Sequence, residues 1–389
     1  MIRALVLLSL NGCVAHTPDL GVDDSDQPAV DTGATDPVCA GLGQPCDALA
    51  PRPAVVDCGA TLRDLVAADA PVSWPDSLAS LGCFEGTAPL KPSPGVLRYD
   101  VRAPLFSNGS DKGRYVVLPP GATITPSVDG PWTFPEGTLL LKSFGLDLLV
   151  DGERAPRTLE VRVMLLAHDG WKFATYGWDE ASQDLRLVGE KGRTEALTLP
   201  HEDGDVLAWY FPSVEACLTC HRKAGDQVLA VRTSQLHHRV DYGDWIADEL
   251  VAWDAIGVFD PPIASLGALP TVADPYSERT PLEPRARAWL HANCAHCHQP
   301  EGFAPPTLAL DLRYSTPLAD TSTCMVPKQS GFTTGGQYVL VPGDASASAL
   351  VQRIRTDSFE KMPPDGASRY DEGGIQAVEA WINSLDGCP

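Results

Sequence analysis

Two Cys-x-x-Cys-His pentapeptides carry the most specific chemistry in this chain: Cys217-Leu-Thr-Cys220-His221 and Cys294-Ala-His-Cys297-His298. In each, two cysteines three positions apart have the spacing to form thioethers with both vinyl groups on one porphyrin edge. The histidine that follows can swing beneath the ring and bind iron. The pair of motifs therefore predicts two covalently bound haem c groups, attached through Cys217, Cys220, Cys294 and Cys297, with His221 and His298 as axial iron ligands. A zinc ribbon, a redox Cys-x-x-Cys pair and ordinary disulfides are the competing readings. A zinc ribbon spaces its two pairs about 15–20 residues apart, far closer than these two. A thioredoxin-like pair needs no adjacent histidine.

Each iron would need a sixth ligand or an open position. For the second haem the expected donor is Met362, because Lys361-Met362-Pro363-Pro364 holds a soft thioether on a loop stiffened by prolines. Met325, beside Cys324, is the competitor without that rigid context. For the first haem the alternatives stay open: His237 or His238, His201, Met164, or no sixth ligand. The ordinary role of each such histidine is a surface or hydrogen-bonding residue, and that of Met164 is a gap-filler in a strand. On a helix only one of His237 and His238 could face an iron.

The elements that must position these residues divide the chain in two. Arg114–Leu118, Thr138–Lys142, Leu159–Met164 and Lys172–Tyr176 are β-branched or aromatic runs bounded by turn residues. They predict an antiparallel, sandwich-like unit over 96–209. Its aromatics Trp132, Trp171, Tyr176 and Trp178 read as core, with a binding platform as the alternative. Glu160, Arg162 and Lys142 read as a solvated or salt-bridged strand face. After residue 209 the pattern becomes helical: a first haem segment over 210–277, then a C-terminal haem domain over 278–389. In that domain Pro284 is expected to start a helix running into Cys294. Asp344 is expected to cap a helix through Leu350, Val351 and Ile354. Ile375, Val378, Ile382 and Leu385 share one face of a terminal helix. The expected fold class is α+β and multidomain, a β-sandwich-like unit followed by mainly helical cytochrome c-type domains.

The N-terminus reads as an export signal over residues 1–13, with Arg3, an apolar stretch from Ala4 to Leu10, and Leu10-Asn11-Gly12-Cys13 as a lipoprotein cleavage box. Cys13 is the expected lipidation site, with plain secretion as the alternative. Residues 14–38 form an acidic tether, and 39–95 a Cys/Pro/Gly-rich lead-in with short helical pieces. Without Cys13 and the four motif cysteines, six of the 11 cysteines remain. An even remainder suits up to three disulfides in an oxidising compartment. Position alone points to Cys39–Cys46 and Cys324–Cys388. The expected location is the periplasm or the outer membrane. No apolar run approaches the ~18 residues of a transmembrane helix. A net charge of −22 argues against nucleic acid and favours a redox partner that is basic at its docking face.

Beyond the motifs, the chain from about 81 to 385 resembles a family of exported bacterial di-haem c-type cytochromes with a β-rich N-terminal half. The resemblance rests on Ala103-Pro-Leu-Phe-Ser-Asn-Gly-Ser-Asp-Lys-Gly-Arg114, Phe134-Pro-Glu-Gly-Thr-Leu-Leu-Leu-Lys142, Tyr176-Gly-Trp178, Phe211-Pro-Ser213, Arg285-Ala-Arg-Ala-Trp-Leu290 and Met362-Pro-Pro364. Residues 278–389 resemble a class I cytochrome c domain, which implies crossed first and last helices and places the distal methionine at Met362. The function implied is electron transfer between extracytoplasmic partners. The alternatives are a di-haem peroxidase or oxygenase open at the first haem, and a β-unit that serves as a binding module.

Overall fold

In the computed structural model, which describes residues 52–86, 89–150, 152–200, 205–222, 227–242, 246–304, 309–325, 338–364 and 368–388, six strands form an antiparallel meander. Their spatial order is their sequence order: β1 (Leu97–Arg98), β2 (Asp111–Val117), β3 (Leu139–Val150), β4 (Glu153–Ala167), β5 (Gly170–Asp179) and β6 (Asp184–Leu187). Each of the four runs read as strands lies on one of β2 to β5. With seven α-helices among the described residues, the fold is mixed α+β.

The alternation along β3 and β4 gives the sheet two apolar faces. On one, Leu139, Leu141, Val161, Val163 and Leu165 pack against the lead-in, whose helix α1 (Ala60–Ala67) contributes Leu62 and Val66. The Cys58–Cys83 disulfide, not anticipated from position, staples the lead-in beneath the sheet. On the other face, Val116, Leu140, Met164 and Trp171 meet Val228, Val231, Leu236, Leu250 and Trp253. These belong to the first-motif segment, which carries α2 (Val214–Cys220) and, after the motif, α3 (Thr233–Leu236) and α4 (Glu249–Ala255). A hairpin of β7 (Arg193–Thr198) and β8 (Val206–Phe211) closes one end, with Trp209 and Phe211 on Phe144 and Leu159.

The expected sandwich is thus corrected to a single main sheet between layers of short helices, loops and two small strand pairs, Phe84–Glu85 with Lys91–Pro92 and Arg239–Asp241 with Ile246–Asp248. Period-two alternation states that a face is buried but not what buries it. Lead-in, sheet and first-motif segment share cores, and residues 34–389 fall into one compact unit. The expected core aromatics are core: Trp132, Tyr176 and Trp178 are buried, and Trp171 packs partly buried in the same cluster as Trp132.

Three helices organise the C-terminal part: α5 (Leu282–Cys294), α6 (Ala349–Arg355) and α7 (Glu372–Asn383). Ala286, Trp289 and Leu290 of α5 pack on Ile375, Val378, Trp381 and Ile382 of α7, with Val351 and Ile354 of α6 alongside. Asp371 ties the crossing together. Its side chain accepts from Gly374 N at 3.2 Å as the α7 N-cap, and from Trp289 Nε1 and Tyr276 Oη at 2.7 Å each. Two helix boundaries differ from expectation. The first helix starts at Leu282, ahead of Pro284, which its first turn tolerates because the missing N–H would be unpaired there. The middle helix starts at Ala349, and Asp344 instead closes the preceding turn by accepting from Ala347 N at 3.0 Å. The expected Cys324–Cys388 disulfide is present.

Among the described residues, no helix is long and apolar enough to cross a membrane. The leader, Cys13, the tether, Cys39, Cys46 and His201 lie outside the described residues.

Candidate functional site

The first motif ends a short helix whose start is set by Ser213, which accepts from Ala216 N at 3.2 Å as N-cap. One turn of helix puts Cys217 and Cys220 on the same side. His221 then leaves the helix and lies against β5, its ring 5.6 Å from that of Phe173. His221 Nδ1 is 2.6 Å from the carbonyl oxygen of Gln227. A carbonyl only accepts, so Nδ1 carries the proton and Nε2 keeps its lone pair. Burial also lowers the His221 pKa, which favours the neutral ring. This is the ligand form of histidine, already oriented.

The second motif continues from the end of α5, where Cys294 O accepts from Cys297 N at 3.1 Å and His298 N at 2.9 Å. Gly302 approaches so closely that a Cβ there would stand 2.2 Å from Cys297 O. Burial, helped by Arg353, pushes the His298 pKa down to about 4, so this imidazole is neutral as well. Its Nδ1 is buried without a hydrogen-bond partner among the described residues. A neutral buried imidazole after two thiols is a donor set that fits a haem, as does the first motif.

The two motifs, far apart in sequence, come together. Ligand atoms of Cys220, His296 and Cys297 lie within 4.8 Å of one another, and the Arg222 guanidinium stands 5.7 Å from the Phe303 ring. The Cys220 thiol is pushed down to about 4, first by its hydrogen bond with Cys297 and further by His296. None of the four motif cysteines is bridged in a disulfide, whereas the other four described cysteines are paired.

The run Ala103–Arg114 clasps the two motif segments. Gln235 holds Ala103 through both amide atoms, at 2.9 and 3.2 Å. Phe106 N donates to Asn293 Oδ1 on α5 at 2.8 Å, and Arg369 N donates to Asn108 Oδ1 at 3.1 Å.

The proposed sixth donors fall in different places. Met362 is half-buried and anchored to α6 by its N–H, which donates to Arg353 O at 2.8 Å. Met325 packs with Cys294 and Leu350 around Ala295 and Leu312. Met164 lies opposite Phe173 across β4–β5, and Phe173 is the ring that meets His221. His237 is engaged with Pro270 O at 3.3 Å and Asp248 at 3.8 Å. His238 lies 3.2 Å from Arg239 O and 4.0 Å from Glu249.

Sequence reasoning grouped Glu160, Arg162 and Lys142 as one strand face but left out Arg114 and Thr175, which complete a floor beneath the first motif. Arg114, Lys142, Arg162 and Thr175 stand directly opposite one another on β2, β3, β4 and β5, forming one rung across the sheet. The Glu160–Arg162 pair is salt-bridged rather than solvated. Glu160 is fully buried and also accepts from Trp209 Nε1 at 3.0 Å. His296 was also missed, its position inside a motif having masked its contact with Cys220. Cations at strand positions where the alternation demands an inward apolar residue were the available signal for the rung.

Compared with models of known families, with curated proteins and with solved structures, the chain matches none.

Proposed function

We propose that this chain is an exported di-haem c-type cytochrome that carries electrons between extracytoplasmic redox partners. The observation that carries the reading is the meeting of two Cys-x-x-Cys-His motifs, with Cys220, His296 and Cys297 within 4.8 Å. A relay needs its two carriers close together, and one attachment residue from each motif sits beside the other. The selective pairing of cysteines adds support, since the motif cysteines stay unbridged where the other described ones are paired. So does the α5–α7 crossing, the arrangement expected of a class I cytochrome c domain.

Each haem, when bound, supplies a one-electron iron couple. The chain's own residues do the rest. Cys217 and Cys220 would hold one group, Cys294 and Cys297 the other, and His221 and His298 would supply nitrogen donors to the irons. The Gln227 carbonyl fixes the His221 tautomer. Gln235 and Asn293 clamp the two motif segments through one shared run of backbone. Met362 is the proposed sixth ligand at the second group. Export, a lipid on Cys13 and a basic docking partner belong to the same proposal and rest on the sequence alone.

Three donors at Cys220, His296 and Cys297 are one short of a closed tetrahedral zinc site. Haem attachment uses both sulfurs, which makes zinc the weaker reading. A haem enzyme open at the first group is the second reading, favoured by the cations beside His221. Such groups would stabilise negative charge developing on a substrate held beside them.

Low-temperature EPR with optical spectra, with and without peroxide, separates relay from enzyme. Two low-spin centres inert to peroxide are the relay's signature. A high-spin centre consumed by peroxide turns the reading to the enzyme.

A further inference from the structure

The rung beneath the first motif is a basic island in a chain of net charge −22. Arg114, Lys142 and Arg162 are cross-strand neighbours, and like charges directly opposite one another destabilise a sheet. Lys112, two residues before Arg114 on the same face, adds a fourth cation whose ammonium donates to Ser110 O at 2.7 Å. Among the described residues, two carboxylates are bonded to these cations: Glu160 on Arg162, and Asp100 at 3.4 Å from Arg114. Glu160 is further occupied by Trp209.

Lys142, at the centre, has no ion pair or hydrogen bond among the described residues. It shares the Phe144 ring with Arg162, the two cations standing 5.0 and 4.4 Å from the ring centre. The last position of the rung, Thr175, is only 4% exposed, and its hydroxyl meets no oxygen or nitrogen partner among the described residues. It faces the Cys217 thiol, whose pKa it lowers by a hydrogen bond. The Arg162 side chain is 37% exposed, so this position of the rung is reachable from solvent. At the ~4.8 Å spacing of neighbouring strands, four positions span about 14 Å.

Three rung cations that share two carboxylates, next to a buried hydroxyl, make a row with more donors than acceptors. We propose that Arg114, Lys142, Arg162 and Thr175 form an anion-binding floor that takes a carboxylate or small oxyanion next to the first motif. Two sources offer that chemistry: the carboxylates of a haem attached at Cys217 and Cys220, or a free oxyanion. The first source rests on the function proposed above; the second needs only the sheet. Guanidinium and ammonium groups bind carboxylates through charge-assisted hydrogen bonds, and Arg does so in bidentate fashion. Filling the row would also offset the repulsion within it.

The test compares the haem-loaded chain with Lys142→Gln, Lys142→Met and Arg162→Gln, with Lys172→Gln on an exposed surface pair as control. Inorganic phosphate and acetate are titrated calorimetrically. Resonance Raman reads the haem carboxylate-bending bands, and haem content is measured on each sample. Saturable binding weakened tenfold or more by the Lys142 and Arg162 changes, but not by Lys172→Gln, supports a free oxyanion. No free-anion binding, with the bending bands of one haem shifted by the same changes, supports the haem carboxylates. The proposal is overturned if no anion binds and the bands stay put, or if the variants bind as the wild type does. Lys142→Met retains the chain's apolar stem, so it also tests the charge should Lys142→Gln fold poorly. A chain without haem would sink the functional proposal while leaving the phosphate titration to decide this one.

Discussion

Replacing Gly374 by alanine sets two effects of opposite sign against each other. Alanine is favoured over glycine in a helix by about 0.8–1 kcal/mol, and Gly374 is the third residue of α7, where the gain is no larger. Against it, a Cβ at this position would lie 1.9 Å from Trp289 Nε1 and 2.1 Å from its Cδ1. An ordinary carbon contact needs about 3.5–4.0 Å, so the indole would have to retreat. It has little room: Trp289 is 5% exposed within the α5–α7 core. Its Nε1 is held by Asp371 at 2.7 Å, and Asp371 also caps α7. Overpacking costs about 1–3 kcal/mol, and losing a hydrogen bond to a charged group about 1.5–3 kcal/mol. The clash wins, and Gly374→Ala should destabilise the chain by about 2–4 kcal/mol, read as a lower urea midpoint and melting temperature. In a Trp289→Phe background the Nε1 contact and its hydrogen bond are already gone. The cost of Gly374→Ala should then fall by at least about 1 kcal/mol in a double-mutant cycle. A variant as stable as the wild type, or strict additivity with Trp289→Phe, would refute the reasoning.

Burial, with Asp100 and Asp248 nearby, raises the Glu249 carboxyl to about 9 in the folded chain, against about 4.3 in an unfolded one. Between those values the folded state holds a proton that the unfolded state has lost, so stability falls as pH rises, by up to about 1.4 kcal/mol per pH unit. Glu249→Gln should flatten urea midpoints measured from about pH 5 to about pH 9; an unchanged slope would show that the carboxyl is ionised in place. In the haem-loaded chain, Met362→Ala should abolish the ~695 nm band of thioether-ligated ferric haem, and Met325→Ala should keep it. The reverse outcome would move the sixth ligand to Met325.

Local pattern made the sheet legible, because alternation is a property of each strand alone. The same pattern could not say that the lead-in covers one face and the first-motif segment the other, since those partners lie far along the chain. The Cys-x-x-Cys-His residues could be read because their chemistry is written within five positions. Their meeting could not, because it depends on Gln235 and Asn293 holding one loop from two sides. The cationic rung was legible only in part: Lys142 and Arg162 were read as one face, but Arg114 lies on a third strand, and only the register makes the three neighbours. Cys58–Cys83 escaped a reading by position, whereas Cys324–Cys388 did not. The turn at Asp344 was recognised, but helical spacing alone could not show that the helix waits until Ala349.

The central claim is covalent haem at both motifs, and intact-mass analysis with haem staining of the chain expressed in an export-competent host tests it most directly. The expected result is two haems on the wild type, one on Cys217→Ala/Cys220→Ala and one on Cys294→Ala/Cys297→Ala, all surviving denaturation. A wild-type chain that carries no haem, or that holds zinc at its motif thiols instead, would contradict it.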